Sequence, residues 1–147
     1  MSDMIWFRLG WQSTILSLLR FVAGLALLEH GTAKRWVFPV VVSYAHGLPP
    51  LLLAAGIVEF FGGVLVCIGL LTRPAAFLAS GEMAIGYLMG HAQKSFFPIL
   101  GGGDAALLFC FIFLYLAVAE GGARSLDRLI TGPRCWLAGP LAGAETA

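Results

Sequence analysis

The chain has 147 residues, of which 59% are hydrophobic and 12% charged, with a mean hydropathy of +0.89 and a formal net charge of +1. Soluble domains carry about 25% charged residues, so nine Lys and Arg with eight Asp and Glu cannot cover the apolar surface of a water-soluble enzyme of this size. The near-neutral balance, with no basic stripe, also argues against nucleic acid as a partner and makes membrane lipids the expected surroundings.

A bilayer core takes about 20 mostly apolar residues per helix, so four spans consume roughly 80 positions and leave the rest for tails and connections. The expected spans are residues 13–33, 51–71, 75–91 and 104–121. All four are read as helices, because an open strand leaves its backbone groups unpaired in lipid. The first run carries Arg20 and ends in Glu29, His30 and Lys34 rather than in a small-residue cleavage site, so it is expected to be retained and not removed as a signal sequence.

The first connection, residues 35–50, holds a short apolar stretch interrupted by Pro39, with Trp36, Tyr44 and His46 beside it. It is too short to span and is expected at the membrane interface, where Trp and Tyr favour the headgroup level. Pro49 and Pro50 open the second helix, and Thr72, Arg73 and Pro74 make a tight second connection that implies antiparallel neighbours. Beyond the fourth helix, residues 124–130 form a short amphipathic piece that Ser125 can cap and that Gly132 and Pro133 stop, expected at the cytoplasmic surface. The fold expected is therefore an all-α integral membrane protein: a four-transmembrane-helix antiparallel bundle over residues 1–134 with a short interfacial segment between helices one and two. Residues 135–147 are expected to be a mobile cytoplasmic tail. Outside the spans, Arg8, Arg73, Arg124, Arg128 and Arg134 share one side against Lys34, Arg35 and Lys94 on the other. The positive-inside rule then makes both termini cytoplasmic.

The informative residues are ionisable groups at membrane depth, each costing at least about 2.5 kcal/mol at a helix centre unless paired or hydrated. In the first helix Arg20, Gly24, Leu27, Gly31 and Lys34 fall within about 40° of one direction. In the second, Ala55, Gly56, Glu59, Gly62, Gly63 and Val66 make a narrow small-residue face with Glu59 at its middle, and such faces let backbones approach closely in lipid. Gly24, Gly31, Gly56, Gly62 and Gly63 are accordingly expected at helix contacts. The pattern predicts a buried Arg20/Glu59 pair, read either as a device that holds helix register or as the polar floor of a ligand site. Glu82, with Ala75, Leu78, Gly86 and Met89 on its face, should also look into the bundle, either as a proton acceptor or as a neutral hydrogen-bonded acid.

His30, Lys34, His91 and Asp104 lie at helix ends expected on the non-cytoplasmic side, as a rim of anchors or of gating groups. No HxH or HExxH spacing supports a metal there, so no metal site is expected. Cysteines 67, 110 and 135 form no CxxC; the first two read as small packing residues and Cys135 as a reduced thiol. The sequence carries no zinc, haem, flavin or iron-sulfur fingerprint.

Several strings together resemble the DoxX family. They are His30-Gly31-x-x-Lys34, Glu59-x-x-Gly62-Gly63 followed by Gly69-Leu70-x-Thr72-Arg73, Met83, Tyr87 and His91 in the third helix, and a closing Ser125-Leu126-Asp127. Gly102-Gly103-Asp104 is similar to the family's Gly-Gly-Glu, with the shorter carboxylate reducing its reach. The resemblance covers about residues 20–129 and implies a four-helix protein of the bacterial cytoplasmic (inner) membrane. It further implies association with thiosulfate:quinone oxidoreductase, terminal quinol oxidase or redox-stress complexes. On that reading the chain is a quinone-interacting or membrane-anchoring subunit without independent catalytic activity, the redox centre sits on an oxidoreductase partner subunit, and Arg20, Glu59 and Glu82 form the polar end of a quinone pocket. A non-catalytic scaffold is the alternative. A small proton-coupled transporter is the third reading, and would need a homo-oligomer or an inverted repeat.

Overall fold

A computed structural model describes residues 2–36, 38, 49–119 and 121–131, with side chains described from residue 11 onward except at positions 35 and 131. The chain is all-α. Its elements are α1 (Ser2–Trp36), α2 (Pro50–Ile68), α3 (Thr72–Gly86), α4 (Pro98–Gly101), α5 (Asp104–Ala119) and α6 (Leu126–Thr131). The interfacial segment expected between the first two helices and the tail from residue 135 lie almost wholly outside the described residues.

Helix α1 begins well before the expected residue 13, because no proline interrupts the stretch from residue 2 onward. Pro50 sits at the first turn of α2, where its missing N–H costs nothing. Gly69, in the left-handed conformation at φ 72°, ends α2 three residues earlier than expected. The amides of Gly69 and Leu70 turn back onto the Leu65 carbonyl at 2.9 and 3.0 Å. Helix α3 runs on without a break into a π-helical turn, Tyr87–His91, so the third expected helix reaches its anticipated end by a wider coil. The single turn α4 has no counterpart in the sequence reading; four residues are too few to show a period.

Helices α1 and α2 pack antiparallel along their length, as do α3 and α5, while α2 meets α3 over a smaller area and α1 touches α5 only lightly. Glycine makes the first contact possible. A Cβ on Gly31 would stand 2.5 Å from the Phe60 nitrogen, and one on Gly63 2.6 Å from that of Leu28. In the second pair, the Ser80 hydroxyl donates to the Cys110 carbonyl at 2.8 Å and the Arg73 Nε donates to that of Ala117 at 3.0 Å.

The core is small: Ala23, Leu27, Val66, Ala75, Ala76, Ala79, Met83, Phe113 and Leu116. Large apolar side chains point outward instead, among them Phe21, Phe61, Phe77, Leu78, Leu108 and Phe111. That distribution suits lipid and not water. Among the described residues two helices are long and apolar enough to cross a membrane, Trp11–Lys34 within α1 and Pro50–Ile68, and Asp104–Ala119 is apolar but shorter.

Candidate functional site

Arg20 does not meet Glu59. Close contacts of Gly24 with Cys67, Gly63 with Leu28 and Gly31 with Phe60 set the register of α1 against α2. That register carries Arg20 to the C-terminal end of α2, about two turns beyond Glu59. A helix end presents unpaired carbonyls and the negative pole of the helix dipole, which suit a fork of five donors. The guanidinium, buried to 3% exposure, accordingly donates to the carbonyls of Val66 and Cys67, and at 2.9 Å to those of Gly121 and Arg124. The expected Arg20/Glu59 pair is replaced by a clamp that joins α1, the end of α2 and the loop after α5.

That end is closed further by α6. The Asp127 carboxylate accepts the amides of Leu71 and Thr72 at 2.7 and 2.8 Å, and its own amide donates to the Gly69 carbonyl at 2.8 Å. Leu71 is held at φ 49°, ψ 39°, a left-handed conformation that costs a residue with a Cβ about 1–2 kcal/mol. Ser125 caps α6 as expected, its hydroxyl accepting the Arg128 amide at 3.3 Å. Asp127 entered the sequence reading only through its family-like string; no periodicity marks a residue that caps a turn more than 50 positions away.

Glu59 pairs with Lys34. The Lys34 ammonium donates to Glu59 Oε1 at 2.5 Å, the carboxylate being 1% exposed and the lysine side chain 19%. Lys34 therefore leaves the rim on which the sequence placed it and turns inward. Its aliphatic stem covers Gly56, whose absent side chain leaves room for it, the nearest stem carbon standing 3.3 Å from where a Cβ would be. The other oxygen, Glu59 Oε2, is buried without a hydrogen-bond partner among the described residues, and so is Glu82 Oε2 on α3. Glu82 lies within electrostatic reach of both Glu59 and Lys34. Three ionisable groups from three helices thus share one neighbourhood, with Lys34 as the cation among the described residues.

Beside this cluster a groove of about 290 Å³ opens between the last turn of α1 and the first half of α2. It is lined by Lys34, Trp36, Leu53, Gly56, Ile57, Phe60 and Phe61. The Trp36 and Phe60 rings lie 4.7 Å apart, and Phe61 meets Phe60 edge-on at 5.2 Å. The sequence reading missed these aromatic walls, which resemble any lipid-facing surface until the register is known.

The remaining rim residues make separate contacts. His30 is exposed, its Nδ1 donating to the Ala26 carbonyl at 2.7 Å and its ring edge-on to Phe109 of α5. His91 donates from Nδ1 to the Gly101 carbonyl at 3.1 Å, and Asp104 is exposed in the first turn of α5. Among the described residues no three His, Cys, Asp or Glu side chains converge as metal ligands. Of the glycines singled out, Gly24, Gly31 and Gly63 lie against partner backbone, Gly56 lies under Lys34, and Gly62 makes an ordinary contact with Leu27.

Comparison with known proteins gives two matches. The DoxX family model matches residues 15–92. A Haemophilus influenzae protein described as "Uncharacterized protein" is 42% identical over 117 residues, covering 76% of this chain and 87% of its own length. No solved structure matches.

Proposed function

This chain belongs to the DoxX family of membrane proteins, and from that premise we propose that it is a multi-pass subunit of the bacterial cytoplasmic membrane that holds a quinone for an oxidoreductase. In this reading α1, α2, α3 with its π-helical turn, and α5 all cross the bilayer, with both termini cytoplasmic. The outward-facing Phe and Leu side chains and the small buried core support it.

The observation that carries the quinone reading is the apolar groove with Lys34 in its lining. A quinone is an apolar ring with carbonyl acceptors and an apolar tail. It asks for a slot of a few hundred Å³ with aromatic walls and few, well-placed donors. The Lys34 ammonium is such a donor, Trp36 and Phe60 offer ring faces, and Leu53, Ile57 and Phe61 offer a path for a tail toward lipid. A bound quinone would supply the redox chemistry, and a partner subunit the electrons. The chain's own residues bind the head, orient it and keep water from it.

A phospholipid shares the same chemistry, an acceptor head on an apolar tail, so the test separates the two. Quinones and phospholipids that co-purify with the gently solubilised protein are quantified by mass spectrometry for the wild type, Lys34→Met and Ile57→Trp. Quinone enriched over bulk lipid, and lost when the donor is removed or the groove filled, is the expected result. A specific phospholipid in its place, or no enrichment, overturns the quinone reading. The second reading, a scaffold without ligand, draws on the Arg20 clamp, which uses a buried charge purely to join segments; it predicts partner loss without ligand loss.

A further inference from the structure

Lys34 belongs to two environments at once: its ammonium is the partner of Glu59, and the residue also lines the groove. The cation cannot serve a ligand head fully without loosening its hold on the carboxylate. Glu59, 1% exposed, has no other donor among the described residues, and an uncompensated buried carboxylate is far costlier than a protonated one. Glu82 stands close enough to feel both charges and presents its own unpartnered buried oxygen.

We propose that this arrangement couples occupation of the groove to proton uptake: a carbonyl ligand that takes the Lys34 ammonium draws it from Glu59, and the Glu59 and Glu82 carboxyls take up a proton in exchange. The inference rests on the quinone reading above. The step forms an O–H bond on one carboxylate oxygen, the proton comes from bulk water, and no electron moves. Glu59 Oε2, buried and without a hydrogen-bond partner among the described residues, is the oxygen open to that proton, and Glu82 Oε2, likewise unpartnered, is the neighbouring base.

The charged and titratable groups around the pair are few. From α1 it is faced by Lys34, while Glu29 and His30 on that helix are exposed. Glu59 is α2's own carboxyl, and Cys67 lies two turns away beside Arg20. From α3 comes Glu82. On α5, Asp104 and Tyr115 are exposed and Cys110 faces Ser80. Arg20 is engaged at the opposite end of α2. Among the described residues one cation therefore controls the charge of the pair.

The test uses the full chain in phosphatidylcholine nanodiscs titrated with decylubiquinone, by calorimetry in two buffers of different ionisation enthalpy. Saturable binding with a buffer-dependent heat equal to about one proton taken up per ligand is expected. Glu59→Gln removes the carboxyl that Lys34 contacts and frees the lysine for the ligand, so it should fold, bind and show at most half that uptake; Lys34→Met should bind more weakly with no uptake. Binding whose heat is the same in both buffers overturns the coupling and leaves the quinone reading standing. Uptake in Glu59→Gln equal to the wild type overturns Glu59 as the acceptor. Absence of saturable binding overturns the coupling together with the reading beneath it.

Discussion

Lys34 and Glu59, 25 positions apart in sequence, meet at 2.5 Å where the end of α1 crosses the first half of α2. The contact is buried on the glutamate side, so its two halves are not equivalent. Removing the lysine strands a carboxylate with no other described donor, whereas removing the glutamate frees a lysine that can reach the membrane surface. Breaking a buried pair from one side costs about 3–5 kcal/mol, while replacing both partners by neutral groups of similar shape is near neutral. Lys34→Met should therefore lower the melting temperature in detergent markedly, Glu59→Gln less, and the double variant should recover most of the loss. Equal, additive losses would mean that the two side chains do not interact.

The clamp around Arg20 predicts a different pattern. Its four carbonyl acceptors come from α2 and from the loop after α5, and a guanidinium can address all of them because its donors are spread over a planar fork. Lys at this position keeps the charge but offers three donors from one point. Arg20→Lys should lose about half the stabilisation removed by Arg20→Ala. Arg20→Ala should also release α6, so that limited proteolysis cleaves after Arg124 or Arg128 at rates well above wild type. Unchanged cleavage would mean that α6 is held without the clamp.

How far the sequence could be read follows from these two contacts. The buried ionisable residues, the small-residue faces and the positions of the main helices were legible, because burying charge in an apolar span and closing two backbones together both leave marks in composition and period. What was not legible is which charge meets which. Arg20 and Lys34 share one stripe of α1, and only the register against α2 decides that Lys34 and not Arg20 reaches Glu59. Register is set by Gly24, Gly31 and Gly63 meeting particular backbone atoms of the facing helix, a relation between two helices that neither displays alone. Asp127 was hidden for a similar reason, since its partners belong to a turn brought near only by the fold.

The same glycine contacts can be ranked. A methyl group on Gly31 or Gly63 would stand 2.5 or 2.6 Å from facing backbone nitrogen, which cannot yield without separating α1 from α2. On Gly62 it would meet only the end of the Leu27 side chain at 3.7 Å, and on Gly81 nothing within 4 Å. Gly31→Ala and Gly63→Ala should each destabilise by about 1–3 kcal/mol, the usual range for overpacking. Gly62→Ala should be close to neutral, and Gly81→Ala neutral or stabilising by up to about 1 kcal/mol through helix propensity. Thermal melts of the four variants check the order, and equal effects at Gly31 and Gly62 would contradict the close packing of α1 on α2.

Asp127 and Leu71 give a prediction in which one change should offset another. The Asp127 carboxylate takes two consecutive amides, those of Leu71 and Thr72, in a turn where Leu71 is forced to φ 49°. The capping bonds stabilise the turn and the left-handed leucine opposes them, so the turn persists because the first term exceeds the second. Asp127→Ala should cost about 1–2 kcal/mol, in the range of a lost carboxylate cap, and Asp127→Asn less, since one amide acceptor remains. Leu71→Gly removes the strain, and because the leucine is 58% exposed it gives up little packing. In the wild-type background that change should leave stability unchanged or raise it slightly; in the Asp127→Ala background it should restore a measurable part of the lost melting temperature. A glycine that destabilises both backgrounds equally would show that Leu71 contributes by packing against its surroundings and that its backbone conformation carries no cost.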